Sequence, residues 1–287
     1  MNRWIIGARL RTLPAAVVPV ALGAACAVGL DDGIVWWRVA LALVVSLALQ
    51  VGVNYANDYS DGVRGTDDVR VGPARLVASG LAPAKHVKTA AFVAFGVAAV
   101  AGLAVAVSTS LWLVAIGVAA IAAGWFYTGG PKPYGYLGLG EIFVFVFFGL
   151  VATVGTTYAA VEAITPLSII IGSAAGSLAC ALLVINNLRD IPTDREVGKK
   201  TLAVRLGDAR SRWLYIGLIV AAFVLLVPAA FDRPTALIGL LAVPLAVTPS
   251  RAVLEGAGGM ALIDVLVATG KLQLAFGVAT TIGLALV

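Results

Sequence analysis

Charge is what this chain has least of. Only 12% of its 287 residues are Asp, Glu, Lys or Arg, 61% are hydrophobic, and the mean hydropathy is +1.00. A soluble domain carries about a quarter charged residues, so that class is excluded. Thiols are scarce too: Cys26 and Cys180 both fall in apolar runs without metal-ligand spacing, which leaves them a packing role. The single histidine, His86, stands in a loop with Lys85 and Lys88 and reads as a solvated or phosphate-surface group, not a catalytic one. No stretch rich in Ser, Pro or Gly divides the chain, so residues 1–287 read as one domain. GYLGLGE at 135–141 lacks both the GxGxxG spacing and a βαβ setting, which excludes a dinucleotide loop.

What the chain has instead is a series of apolar runs, each about long enough to cross some 30 Å of hydrocarbon as a helix. Nine are read, at 13–30, 34–57, 87–107, 110–128, 137–161, 164–188, 213–231, 234–248 and 262–287. The eighth is short and the ninth contains Lys271. The fold class is therefore all-α integral membrane, with nine transmembrane helices in one bundle. Of the 20 Lys and Arg, only Arg38 and Arg233 fall in outside loops when the N-terminus is cytoplasmic, with Lys271 inside the last run. That asymmetry sets orientation. Basic residues spread among short loops form no patch for nucleic acid. Basic residues followed by an apolar run also invite a signal-peptide reading of 1–26, which the eight further runs argue against.

The exception to the apolar pattern comes at two helix ends. NYANDYSDGVRGTD at 54–67 follows the second run and NNLRDIPTD at 186–194 follows the sixth, a weak internal echo. Asn54, Asn57, Asp58 and Asp61 are spaced i, i+3, i+4, i+7, and Asn187, Asp190 and Asp194 are spaced i, i+3, i+7, so each helix presents one polar stripe. Ionisable groups at a membrane are costly and face a cavity or a partner. Converging carboxylates repel unless a cation lies between them, and oxygen-only donors suit Mg²⁺ shared with substrate phosphates. Arg64, Arg75, Lys132, Lys199, Lys200 and Arg205 lie in the same cytoplasmic loops. Acids for metal and bases for phosphate imply a diphosphate, and a helical bundle implies that the rest of the substrate is apolar. A polyprenyl diphosphate meets both demands. The carbocation left by its departing diphosphate needs aromatic faces, for which Tyr55, Tyr59, Tyr127, Tyr134 and Tyr136 are candidates.

These motifs resemble the two Asp-rich motifs of the UbiA-type intramembrane aromatic prenyltransferases. ARLRTLPAAVVPVALG at 8–23 and YTGGPKPYGYLGLGEIFVFVFFG at 127–149 are similar to the branch that acts on 1,4-dihydroxy-2-naphthoate. The resemblance implies a nine-helix fold, Mg²⁺ dependence, a polyprenyl diphosphate donor and a naphthoate acceptor that loses CO₂ on the way to menaquinone. It also implies a cytoplasm-facing site in a bacterial cell membrane. By the resemblance Asp58, Asp61, Asp190 and Asp194 hold the metal, and Asp67 is a further acid of the first motif. Asn54, Asn57, Asn186 and Asn187 are direct or outer ligands. Arg64, Lys132, Tyr134, Arg189, Lys199 and Lys200 belong to the substrate-binding set.

Two rival readings carry their own expectations. The same transfer to 4-hydroxybenzoate, homogentisate or a haem precursor requires a different acceptor pocket. A cation-coupled transporter also uses acidic stripes, but it places them near the midplane and not at one face. Glu141 reads either as a helix N-terminal charge or as a site residue. Lys271 reads as a snorkelling cation in preference to one that points into the cavity.

Overall fold

A computed structural model of the chain describes residues 2–30, 33–66 and 75–286. The described residues form a helical bundle. A short helix α1 (Arg3–Ala8) and the turn Leu10–Thr12 meet α2 (Pro14–Ala27) at a bend of 49°. Then come α3 (Trp36–Arg64), α4 (Ala84–Ser108), α5 (Trp112–Phe126), α6 (Gly140–Val161) and α7 (Pro166–Glu196). The chain continues through α8 (Leu202–Leu206), α9 (Asp208–Asp232), α10 (Pro234–Leu254) and α11 (Ala261–Ala285).

Seven of these helices are long and apolar enough to cross a membrane, or eight when the bent pair before α3 counts as one span. The chain is thus a multi-pass membrane protein. The expected run at 110–128 shortens to the 15 residues of α5, about 22 Å of helix, because the chain turns at Thr109–Leu111 and again at Tyr127–Gly130. Nine apolar runs therefore become seven or eight full spans and one short apolar helix.

Local sequence fixes the ends that matter. Thr165 and Ser168 cap α7 reciprocally, with Pro166 in its first turn. Gly65, at φ 72°, ends α3 directly after its acids and sends its N–H back to the Asp61 carbonyl. The central helix is α7, which is buried over 72% of its apolar stretch, against 28% for α3. Gly149 of α6 meets Gly172 and Gly176 of α7 so closely that a Cβ at 149 falls 2.5 Å from the Gly176 Cα. Small residues give membrane helices this backbone-to-backbone approach. Between Phe145 and Val151, α6 winds as a π-helix, a wider turn found often at functional sites.

Candidate active site

A cavity of about 1690 Å³ lies inside the bundle, larger than the roughly 300–1,000 Å³ of ordinary ligand pockets. Its polar end is built from the last turns of α3 and α7. Asn54, Asn57 and Asp61 line it from α3, and Asn186, Asn187, Arg189, Asp190 and Asp194 line it from α7. The two stripes thus face one space, and Asp61, Asp190 and Asp194 are all buried there.

Each carboxylate is held differently. The Tyr136 hydroxyl donates to Asp61 Oδ1 at 2.9 Å. Arg189 donates from Nε and Nη2 to the two oxygens of Asp190, both at 2.7 Å, and also reaches Asn186 Oδ1 at 3.0 Å. Lys199 Nζ lies 3.4 Å from Asp194 Oδ1, and the Thr201 hydroxyl donates to Asp194 Oδ2 at 3.5 Å. Asp58 does not line the cavity. It follows Asn57 and so points about 100° round the helix, where its carboxylate accepts the backbone N–H of Leu76 at 2.9 Å and of Val77 at 3.1 Å. Of the four acids expected to hold metal, Asp61, Asp190 and Asp194 line the cavity, and Asp58 is buried off its wall, where it braces the 75–80 turn. Asp67 lies outside the described residues.

The amides divide the same way. Asn54 donates to Ala8 O and Thr12 Oγ1 and accepts from Gln50, so it fastens the 8–12 segment to α3. Asn57 accepts from the Thr128 hydroxyl, and Asn187 donates to Glu141 Oε1. Glu141, buried at the start of α6, is therefore a site-supporting residue and not an exposed helix-end charge. Arg64 is exposed and donates to the carbonyls of Thr128 and Gly130. Lys132 and Lys200 are exposed as well, and Arg64, Lys132 and Lys200 all lie off the cavity wall. Arg9 and Arg75 take places on the wall instead. Arg9, in a left-handed turn at φ 52°, comes from a segment whose sequence carries no motif acid.

The 127–139 loop joins the two motifs. While its hydroxyl holds Asp61, the Tyr136 ring lies 5.2 Å from Lys199 Nζ and 5.4 Å from Arg64 Cζ. Burial, and then the Asp61 charge, push the Tyr136 phenol above its usual value, so it stays a donor. Beyond it an aromatic ladder runs into the apolar part of the cavity. Tyr127 meets Tyr134 at 5.5 Å, Tyr134 stacks on Phe143 at 3.9 Å, and Phe143 stacks on Phe147 at 6.2 Å. All four rings line the cavity. Tyr55 and Tyr59 do not; they pack on Trp4 and Trp125 on the other side of α3. Phe143 and Phe147 lie in an unbroken apolar run, where nothing in the sequence marks them out.

The donor set suits a hard divalent ion, since carboxylate and amide oxygens line one end of the cavity with no sulfur or imidazole among them. Among the described residues, no three acids, histidines or cysteines are already close enough to hold a metal together. The acids of the polar end are thus each engaged with protein partners of their own.

An intramembrane helical bundle with two Asp-bearing helix ends over an aromatic, apolar cavity is the architecture of a prenyl-transferring membrane enzyme. Residues 16–257 match the UbiA prenyltransferase family, and the chain belongs to it. It is 50% identical over 283 residues to the 1,4-dihydroxy-2-naphthoate octaprenyltransferase of Mycobacterium tuberculosis, covering 99% of this chain and 97% of that one. It is 36% identical to the enzyme of the same name from Escherichia coli, covering 93% and 90%. In three dimensions it resembles a UbiA homologue from Archaeoglobus fulgidus bound to GPP and Mg²⁺, with TM-score 0.66 and 15% identity over 98% of this chain and 99% of that one.

Proposed function

We propose that this protein transfers a polyprenyl group from its diphosphate to 1,4-dihydroxy-2-naphthoate, releasing diphosphate and CO₂, as a step of menaquinone biosynthesis. The observation that carries this reading is the cavity itself, with Asp61, Asp190 and Asp194 at one end and the ladder Tyr127, Tyr134, Phe143 and Phe147 leading away from it. Half-identical relatives that carry the naphthoate name support the choice of acceptor.

Asp61, Asp190 and Asp194 would hold Mg²⁺, with Asp67 added from the sequence motif. When bound, the ion supplies positive charge to the leaving diphosphate. Arg189 and Lys199, now paired with Asp190 and Asp194, are placed to turn toward the phosphates, and Arg75 and Arg9 complete a cationic rim. The allylic C–O bond breaks with its electron pair leaving on the diphosphate. The aromatic ladder shields the carbocation from water. The ring carbon that bears the carboxylate bonds to the allylic carbon, and loss of CO₂ returns the electron pair to the ring. No proton has to be removed from that carbon, so a dedicated base is unnecessary. The positive-inside pattern supports a cytoplasmic N-terminus, with the site on the cytoplasmic side of a bacterial cell membrane.

Product mass tests the reading. Purified protein given farnesyl diphosphate, Mg²⁺ and 1,4-dihydroxy-2-naphthoate is expected to form a prenylated naphthoquinol lacking the carboxylate. Prenylation of 4-hydroxybenzoate with the naphthoate left untouched would move the protein to another acceptor.

A further inference from the structure

Four amides of the two Asp-rich motifs line the polar end of the cavity, and three of them have their oxygens in use. Asn54 Oδ1 accepts from Gln50 at 3.3 Å, Asn57 Oδ1 from the Thr128 hydroxyl at 2.8 Å, and Asn186 Oδ1 from Arg189 at 3.0 Å. Asn187 is the exception. Its Nδ2 donates to Glu141 Oε1 at 3.1 Å, while its Oδ1 accepts no hydrogen bond among the described residues. Asn187 is only 4% exposed. Glu141 Oε2 is sealed off without a partner, but Asn187 Oδ1 is not sealed, and the surface it keeps is on the cavity.

Glu141 sets this orientation because it is itself fixed to α7 twice. Its backbone carbonyl accepts the Cys180 thiol at 3.1 Å, and its carboxylate takes the amide of Asn187, seven residues on along the same face of α7. The entry to α6 is also tightly seated, since a Cβ at Gly140 would fall 3.2 Å from the Tyr127 ring and 3.3 Å from Leu183. An ionised carboxylate accepts and does not donate, so the Asn187 group that faces Glu141 is the NH₂ and the carbonyl points the other way. Asn187, Asp190 and Asp194 share one face of α7, and all three line the cavity. An acceptor oxygen on the same face as two carboxylates suits a hard cation and repels an anion.

We propose that Glu141 is a positioning residue of the divalent-cation site: by holding Asn187 Nδ2 it turns Asn187 Oδ1 into the cavity as an oxygen ligand alongside Asp190 and Asp194. This rests on the metal reading above and decides how Asn187 takes part in it. The Glu141 charge also polarises the amide, which makes Oδ1 a better ligand for a cation. Asn57 of α3 is held the other way, with Thr128 on its oxygen and Nδ2 left for the cavity. The two motifs thus present their amides with opposite polarity, and the residue that decides each, Thr128 or Glu141, lies outside both.

The test reads metal binding directly, on the full-length protein in detergent with a non-hydrolysable farnesyl diphosphate analogue present. Mn²⁺ is the probe, and its free fraction is followed by electron paramagnetic resonance. Glu141→Met, an apolar replacement of similar volume, is expected to raise the Mn²⁺ Kd about ten- to a hundredfold, the usual loss when the group that orients a metal ligand is removed. Glu141→Gln keeps a carbonyl that accepts the Asn187 N–H, so its Kd should stay close to that of the parent. Asn187→Leu should match Glu141→Met, and the two together should lose no more than either alone, because both remove the same oxygen. If Glu141→Met does not fold, Glu141→Leu carries the same expectation. A lower melting temperature with an unchanged Mn²⁺ Kd, or losses that multiply in the double variant, overturns the assignment while the metal reading stands. A parent that binds no Mn²⁺ overturns both.

Discussion

The ends of α3 and α7 look alike in sequence and are held in opposite ways. On α3, neutral donors hold the acids: two backbone amides on Asp58 and a phenol on Asp61. On α7, cations hold them: the Arg189 fork on Asp190 and Lys199 on Asp194. Burial differs too, with α7 at the centre of the bundle and α3 on its flank. A carboxylate held by neutral groups keeps its charge available, whereas an ion pair is a closed contact that an incoming cation must exchange. On the proposed reading, such an exchange would set Arg189 and Lys199 free to meet the diphosphate. The first motif would then shape the site through its loops, and the second would hold charge for use when substrate arrives.

The strongest way to break this contrast is to remove one acid from each helix. Asp190→Asn should lower kcat/KM at least about a hundredfold. It should also abolish the rise in melting temperature that Mg²⁺ and a non-hydrolysable prenyl diphosphate give the parent. Asp58→Asn should instead lower stability by about 1–3 kcal/mol, the cost of disturbing buried charge-assisted bonds, and keep the Mg²⁺ response. If Asp58→Asn loses that response as fully as Asp190→Asn, Asp58 is a ligand and the contrast fails.

Packing gives a second, smaller comparison. Gly149 faces backbone of α7, while Gly52 of α3 faces the Phe95 ring, with a Cβ there 2.6 Å from a ring carbon that can shift. Gly149→Val should therefore cost about 1–3 kcal/mol by overpacking, visible as a lower melting temperature, with Gly52→Ala costing less. Equal losses would show that the backbone contact of α6 with α7 is no less able to give than the Phe95 ring.

The smallest effect is expected where the two motifs touch. Tyr136→Phe deletes one hydrogen bond to Asp61 and keeps the ring beside Lys199 and Arg64. A drop of about five- to tenfold in kcat/KM, close to 1 kcal/mol, should follow. No change in rate would mean that Asp61 needs no such partner.

Much of this protein was legible in the chain itself, because hydrocarbon is an unforgiving solvent. Long apolar runs have few ways to satisfy their backbone except as helices, so class and approximate spans followed from hydropathy. Periodicity also put Asn54, Asn57 and Asp61 on one stripe and Asn187, Asp190 and Asp194 on another, since i, i+3 and i+7 share a helix face whatever surrounds them. Tertiary structure decided the rest. That Asp58 turns to the Leu76 and Val77 amides, that Tyr136 links the motifs while Tyr55 and Tyr59 face away, and that Lys271 opens into the cavity all depend on which neighbour each face meets. Spacing within one helix fixes a direction around its axis, but only the packing of α3, α6, α7 and α11 against one another determines what lies in that direction.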